Sequence, residues 1–406
     1  MTPGGRAQGL IELLQIFNAN KNVPADTVLS RYLKERRYIG SKDRQFLAHH
    51  FFQILRMHHA LKGKTINERL LVARYFAWIG QMPMSEITYW FDGSHYHPHI
   101  LTKEEIKMIE NQSYNQVECI PAWVRALLPN AESIVNEVLL TAASIDIRVN
   151  LFKNTIEDVL SNLNQEGFYC PERMKYSKVG LRLKRRLIYG HPLLQDGQIE
   201  FQDEGAQIIS FLVDSNDKMH VLDLCAGAGG KSLSLANVME NKGEIILSDI
   251  HEFRLKRAKE RLAKAGVFNA QIVPIEKLPK KQYDRVLLDV PCSGSGTWRR
   301  KPDLLMKITP EIVQNVMEEQ RQIFERSVDY VKVGGRLIYA TCSLFDCENE
   351  DQVKAFIQKN PNFKPVNLNR IQSGYLNRPF EGEFLKLTPW EHGCDGFFVS
   401  VLERVA

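Results

Sequence analysis

No apolar run in this 406-residue chain approaches the roughly 18–20 residues that a helix needs to cross a bilayer, which argues against a bundle of membrane-spanning helices. The first apolar stretch, MTPGGRAQGLIELLQIF, lacks a signal-peptide cleavage pattern. Cysteine is sparse and irregular. The seven thiols, at 119, 170, 225, 292, 342, 347 and 394, form no CxxC pair and no evenly spaced framework. Neither a structural zinc site nor a disulfide scaffold is therefore expected, no metal is assigned, and a reducing cytoplasm is the natural compartment. Internal repeats and low-complexity tracts are also missing, which removes solenoids and disordered arrays from consideration.

What is present is the composition of a globular protein, 44% hydrophobic and 25% charged, long enough for two or three domains with real cores. A net charge of +5 is weak evidence for a polyanionic partner, but its distribution says more. RYLKERRYIGSKDR (31–44) carries six basic and two acidic side chains, KVGLRLKRR (178–186) five basic and none acidic, and WRRK (298–301) three more beside a tryptophan. Each could be a solvated face. Three such clusters with interleaved aromatics suit a nucleic-acid surface.

Residues 5 to about 110 repeat apolar positions at helical spacing, as at Ala7, Leu10, Ile11, Leu14 and Phe17, and predict a small helical bundle. NQSYNQVECIPAW (111–123) reads as a linker. Between there and about 215, IDIRVNLFK and GLRLKRRLIYG alternate like strands around a helical TIEDVLSNLNQEGF, a small α+β unit. From Met219 the rhythm becomes strand, loop, helix. MHVLDLC, EIILSD, AQIVP, DRVLLDV and GRLIYAT are five buried strands separated by helical stretches, the pattern of a mostly parallel, doubly wound sheet. Ligands of such a sheet bind beyond the carboxyl ends of its strands.

CAGAGGKS (225–232) leaves the first of these strands and opens a helix. A P-loop would need glycine where Cys225 stands, and GxGxxG would need glycine where Ser232 stands. A nucleoside cofactor without a pyrophosphate, S-adenosylmethionine, is the third candidate. Asp249 ends EIILSD 22 residues after Gly227, about where a ribose-binding acid belongs, although this suits NAD equally. The glycines could also do no more than close a tight turn.

The remaining signals are LLDVPCSGSGTWRRKPD (287–303) and YATCS (339–343), each a strand ending in a cysteine. A buried free cysteine is commonly a plain core residue. Two at the same rim, one preceded by Asp-x-Pro, fit a specific chemistry. Carbon 5 of cytosine is a poor nucleophile until a thiolate adds to carbon 6, and an acid near ring nitrogen 3 stabilises the charge that develops. One cysteine, an acid and a methyl donor suffice, with a second group to assist release. Arg299, Arg300 and Lys301 follow Cys292 closely in sequence.

Together, DLCAGAGGKS, LLDVPCSGSGTWRRKPD, YATCS and DGFF (395–398) resemble the RsmB/Sun-type RNA cytosine-5 methyltransferases, and RYIGSKDR in a helical N-terminal segment resembles the NusB-like domain of the bacterial branch. The resemblance implies a doubly wound, Rossmann-like class I methyltransferase domain over 216–406, preceded by a helical NusB-like RNA-binding domain over 1–115 and a small α+β substrate-binding domain over 116–215. It implies S-adenosylmethionine as cofactor and RNA as partner, with small-subunit ribosomal RNA first and tRNA as the alternative. The chain is expected to act as a cytoplasmic monomer without a membrane partner. By the same resemblance Cys342 is the nucleophile, Cys292 assists product release, and Asp289 contacts the cytosine ring beside the cofactor. Cys225, Ala226, Gly227, Ala228, Gly229, Gly230 and Lys231 form the cofactor loop, Asp249 holds the ribose, and Arg254 and Glu276 complete the cofactor site. QDEGAQ (202–207) matches a segment packed near it. Where the family has CAAPGGKT, Gly227 and Ala228 replace Ala and Pro, and Glu276 stands where Asp is usual. Two rivals remain: a P-loop NTPase, and an RNA-binding assembly factor with a decayed methyltransferase domain.

Overall fold

The computed structural model describes residues 1–62, 67–128, 131–188 and 190–406. Residues 63–66 of the expected helical bundle and Tyr189 of the alternating stretch 180–190 lie outside the described residues. Contacts gather the chain into two compact units, Met1–Ala142 with Thr297–Ile308, and Ala143–Gly296 with Thr309–Ala406.

Among its described residues the first unit has helices and no strand. Its opening helix, Pro3–Ala19, starts where the Thr2 side chain accepts from the Gly5 N–H and Pro3 fixes the first turn. Ala7, Leu10, Ile11, Leu14 and Phe17 are all buried, as their spacing predicts, and the Phe17 ring meets Phe51 of the Ser41–Lys62 helix edge-on at 6.1 Å. The segment 297–308 is bound into this unit by polar contacts. The Arg56 guanidinium donates to the Arg299 carbonyl at 2.7 Å, His59 to that of Leu305 at 3.3 Å, and the Lys307 ammonium to that of Val23 at 3.4 Å. Trp298 and Arg299 are buried, so the WRRK cluster presents neither its tryptophan nor its first arginine as an exposed surface. The 31–44 cluster does present one: Arg31, Lys34, Arg37 and Lys42 are exposed around a bare Tyr38 ring.

The second unit contains two sheets. The smaller is antiparallel, in the order β2 (Glu172–Arg173), β3 (Gly180–Leu183), β1 (Ile145–Val149), β4 (Ile199–Phe201). Arg182 of its basic stretch is occupied internally, with Asp146 at 2.8 Å and Glu204 at 3.5 Å. The larger sheet has a parallel core of β5 (His220–Asp223), β6 (Glu244–Leu247), β7 (Ala270–Ile272), β8 (Tyr283–Asp289) and β9 (Val331–Thr341), ordered β9-β8-β5-β6-β7. These are the five strands read from the sequence. β10 (Phe363–Pro365), β11 (Phe384–Leu387) and β12 (Phe397–Arg404) extend it antiparallel past β9, and the sequence reading had not assigned them.

β8 shows why this sheet is covered on both faces. Leu287 packs with Val221, Ile245 and Ile338 in one core, while Val286 and Leu288 pack with Leu222, Ile246 and Tyr339 in the other. Strict alternation of an unbroken apolar run sends successive side chains to opposite cores, as in a central parallel strand. The order reverses between β5 and β8, so their carboxyl ends, Asp223 and Asp289, flank the crevice where such folds take ligands. No helix of the described residues is long and apolar enough to cross a membrane.

Candidate active site at the sheet rim

The loop after β5 is shaped by two left-handed glycines that serve different ends. Gly229 (φ 75°) precedes the Gly230–Val238 helix, and a Cβ there would lie 3.1 Å from the Ala258 Cβ, so its bareness permits close packing. Gly227 (φ 53°) faces open space, with nothing within 4 Å of an added Cβ, so a ligand can approach its backbone. Asp249 supports this crest: one carboxylate oxygen accepts the Gly227 N–H at 2.8 Å and the other the His251 N–H at 2.8 Å. From beneath, the Arg261 guanidinium donates to the Ala228 carbonyl at 2.6 Å and pairs with Glu200 at 3.1 Å. Gln202 donates to the Gly230 carbonyl at 3.1 Å, which gives QDEGAQ a concrete role in holding the loop. The sequence reading missed Arg261, because an arginine on a strongly basic helix carries no signal of its own.

Asp223, at the end of β5, was also missed. It is buried, accepts the Ser232 hydroxyl at 2.6 Å through one oxygen, and its other oxygen receives no hydrogen bond. Burial pushes its pKa up to about 7; the Ser232 bond works against this and the neighbouring Asp289 with it. A small polar ligand at the loop would satisfy that oxygen. Burial, reinforced by Asp223, Asp289 and Asp249, holds the Cys225 thiol well above its usual range, so Cys225 is a neutral part of the loop wall. The open crest, the waiting oxygen and the acid at the end of β6 fit a nucleoside cofactor.

At the ends of β8 and β9 the structure brings Asp289, Cys292 and Cys342 together with Lys231. Lys231 donates to Asp289 at 2.6 Å with its side chain only 11% exposed. Burial opposes the lysine's charge, but Asp289 outweighs it and holds the ammonium above the ordinary lysine range. The sulfurs of Cys292 and Cys342 lie 3.3 Å apart, although 50 residues separate them in the chain. The Cys292 thiol is held well above the usual range, first by its hydrogen bond to Cys342, then by burial and the Glu348 carboxylate. All the cysteines are free.

DGFF also finds its place. The Gly396 N–H donates to the Gly296 carbonyl at 2.8 Å, and the Gly296 N–H to the Cys342 carbonyl at 2.9 Å, so β12 leads directly to the loop that follows Cys292. Two expected residues stand apart from this cluster. Glu276 is exposed in the turn Ile275–Lys277 after β7, two strands from β5, and Arg254 is exposed in the first turn of the Glu252–Ala265 helix. Among the described residues no group of His, Cys, Asp and Glu could hold a metal ion.

Residues 210–403 match the family described as "16S rRNA methyltransferase RsmB/F". "Probable ribosomal RNA small subunit methyltransferase B" of Synechocystis sp. (strain ATCC 27184 / PCC 6803 / Kazusa) is 30% identical over 320 residues, 75% of this chain and 70% of that protein. A protein of the same description from Bacillus subtilis (strain 168) is 29% identical over 310 residues, 74% of this chain and 69% of that one. Among solved structures, the crystal structure of PH0851 aligns with 99% of both chains at a TM-score of 0.77 and 25% identity.

Proposed function

Because the chain belongs to the RsmB/F family of 16S rRNA methyltransferases, we propose that it forms 5-methylcytosine in small-subunit ribosomal RNA through a covalent adduct between Cys342 and carbon 6 of the target base. It is an S-adenosylmethionine-dependent RNA methyltransferase by family. When bound, the cofactor supplies a sulfonium-activated methyl group. The loop 225–231 and Asp249 would hold it, with the unpartnered Asp223 oxygen as a further polar contact and with the exposed Arg254 and Glu276 as the remaining candidates.

Cys342 adds to carbon 6 of an unstacked cytosine, which makes carbon 5 enamine-like and able to take a methyl group. The addition drives negative charge towards ring nitrogen 3, and the Lys231–Asp289 pair is the group that offsets it. Carbon 5 then loses its proton to solvent, the electron pair of that bond restores the carbon 5–carbon 6 double bond, and the carbon 6–sulfur bond breaks. Cys292 assists by donating its proton to the departing sulfur, so that Cys342 leaves as a thiol and Cys292 regains a proton from solvent.

The observation that carries this reading is the meeting of two cysteine sulfurs, 3.3 Å apart, at the strand ends where Asp289 holds Lys231. Its hydrogen bond to Cys342 and its burial hold Cys292 in the thiol form, which suits a proton donor. A thiol held protonated is a poor nucleophile, so Cys342 is assigned the attack on carbon 6 and Cys292 the release, the reverse of the order in related DNA enzymes.

The test is incubation with labelled S-adenosylmethionine and unmodified bacterial RNA, followed by sizing of the RNA and digestion to nucleosides. Label in 5-methylcytosine is expected in RNA of ribosomal size, absent with Cys342→Ala, while Cys292→Ala accumulates a covalent protein–RNA adduct. Methylation by the Cys342 variant together with normal turnover by the Cys292 variant refutes the assigned roles. Label in tRNA would move the substrate, and RNA binding without label would favour an assembly factor.

A further inference from the structure

Behind the two sulfurs lies a polar cluster that the methyl-transfer chemistry leaves unused. Its centre is Glu348, fully buried at the end of the turn Asp346–Glu348. One carboxylate oxygen accepts the Ser293 N–H at 2.8 Å and the Gln320 amide at 3.1 Å; the other accepts the Ser343 hydroxyl at 2.6 Å. Ser293 directly follows Cys292, and Ser343 directly follows Cys342. Gln320, from the Pro310–Ser327 helix, also donates to the Pro291 carbonyl at 2.9 Å. The Ser343 hydroxyl lies 3.2 Å from that of Ser293 and 3.1 Å from that of Ser295, and the Tyr339 hydroxyl donates to the Glu348 carbonyl at 2.7 Å.

The chemistry of these partners selects a carboxylate. Each of the three groups offers a hydrogen, and an ionised carboxylate is an acceptor with several lone pairs. No cation is among those three donors, so the carboxylate is held by hydrogen bonds from both cysteine loops and from one helix behind them. A buried charge secured in this way resists any movement that would strip a donor from it, because water cannot replace the lost bond.

We propose that Glu348 is a positioning residue of the methyl-transfer reaction, its buried carboxylate clamping the loop that carries Cys292 to the loop that carries Cys342 so that the two sulfurs meet. The role rests on the proposed function for its chemistry and on the hydrogen bonds alone for its geometry. The charged and titratable groups facing Cys292 are Cys342, Glu348 and the Tyr339 phenol. Removing the Glu348 charge while keeping its shape therefore lowers the pH at which the Cys292 thiol reacts.

The test compares Glu348→Ala, Glu348→Gln and, as a milder change that keeps the buried carboxylate, Gln320→Met. Dibromobimane, which becomes fluorescent once both its arms have alkylated thiols, reports the meeting of Cys292 and Cys342, with peptide mapping to identify the bridged pair. Methyl transfer is measured alongside. Glu348→Ala is expected to lose bridging and about 10²-fold in kcat, with KM for S-adenosylmethionine within about twofold, because misplacement by about 1 Å is costly while the cofactor loop is untouched. Glu348→Gln can keep its carbonyl on Ser293 and Gln320 and turn its amide to the Ser343 oxygen. It should retain bridging, recover most of kcat, and alkylate Cys292 at lower pH than the wild type. Gln320→Met should fall between wild type and Glu348→Ala. A residue that merely supported the fold would lower the amount of active protein without separating kcat from KM or moving the alkylation profile. Folded Glu348→Ala and Gln320→Met proteins with wild-type bridging and kcat would overturn the proposal. If the wild type makes no 5-methylcytosine but bridging still collapses in Glu348→Ala, the clamp stands and the proposed reaction falls.

Discussion

Gly296→Ala tests how closely the active-site backbones are packed. A Cβ at 296 would lie 2.0 Å from the Gly396 carbonyl oxygen and 2.6 Å from its carbon, whereas ordinary contact begins at 3.4 Å. The obstacle is backbone, so the loop and the start of β12 must separate by about 1 Å or more. That separation strains two hydrogen bonds, Gly396 N–H to Gly296 and Gly296 N–H to Cys342, each contributing about 1 kcal/mol. Overpacking adds about 1–3 kcal/mol, for a total of about 3–5 kcal/mol. For a unit of this size that corresponds to a fall in Tm of roughly 10 °C. Because the same movement shifts Cys342, kcat should fall about 10²-fold in the folded fraction. Gly227→Ala is the comparison, with open space around the new Cβ but a left-handed φ of 53°, so it should cost only about 1–2 kcal/mol. Differential scanning calorimetry and single-turnover methylation below the transition give both quantities. A Gly296→Ala protein with wild-type Tm and kcat would refute the close approach of β12 to the cysteine loops.

Asp223 makes stability depend on pH in an unusual direction. Its folded pKa of about 7 lies above the ordinary carboxyl value, so between about pH 4 and pH 7 the folded state holds a proton that the unfolded chain has lost, and its contribution falls as pH rises through that window. Asp223→Asn should flatten this slope in a Tm-versus-pH series; an unchanged slope would show that the carboxyl is not held protonated. Arg261→Met removes the donor to the Ala228 carbonyl and should raise KM for S-adenosylmethionine about tenfold with little change in kcat, a loss of roughly 1–2 kcal/mol. Equal falls in kcat and kcat/KM would instead place Arg261 in the chemical step.

The parallel sheet was legible because period and punctuation agree there: each of five apolar runs stops at a polar or glycine-rich rim. β10 to β12 were not, because antiparallel strands at one edge lack the alternation with helices that betrays the rest. FFVSVLER was noticed for its motif and not for its pairing. Cys292 and Cys342 could be placed on one rim from strand ends alone, and the sulfur separation of 3.3 Å agrees with that placement. Asp223, Arg261 and Glu348 escaped because burial and hydrogen-bond partners decide their behaviour, and neither is written in local sequence. WRRK misled for the same reason: four residues that look like a nucleic-acid surface include a buried tryptophan and a buried arginine.

The segment 297–308 has a consequence for synthesis. The bond from Arg56 to the Arg299 carbonyl spans 243 residues of chain. The helical unit leaves the ribosome before the sheet unit does, yet it lacks its last piece until β5 to β8 have been made. At about 5–20 residues per second, the interval between residue 142 and residue 308 is roughly 10–30 s. For that time the helices wait with the partners of Arg56, His59 and Val23 missing. The order in which this chain is made is therefore not the order in which its parts can be completed, and a fragment ending at 142 should be less stable than the same residues in the full chain.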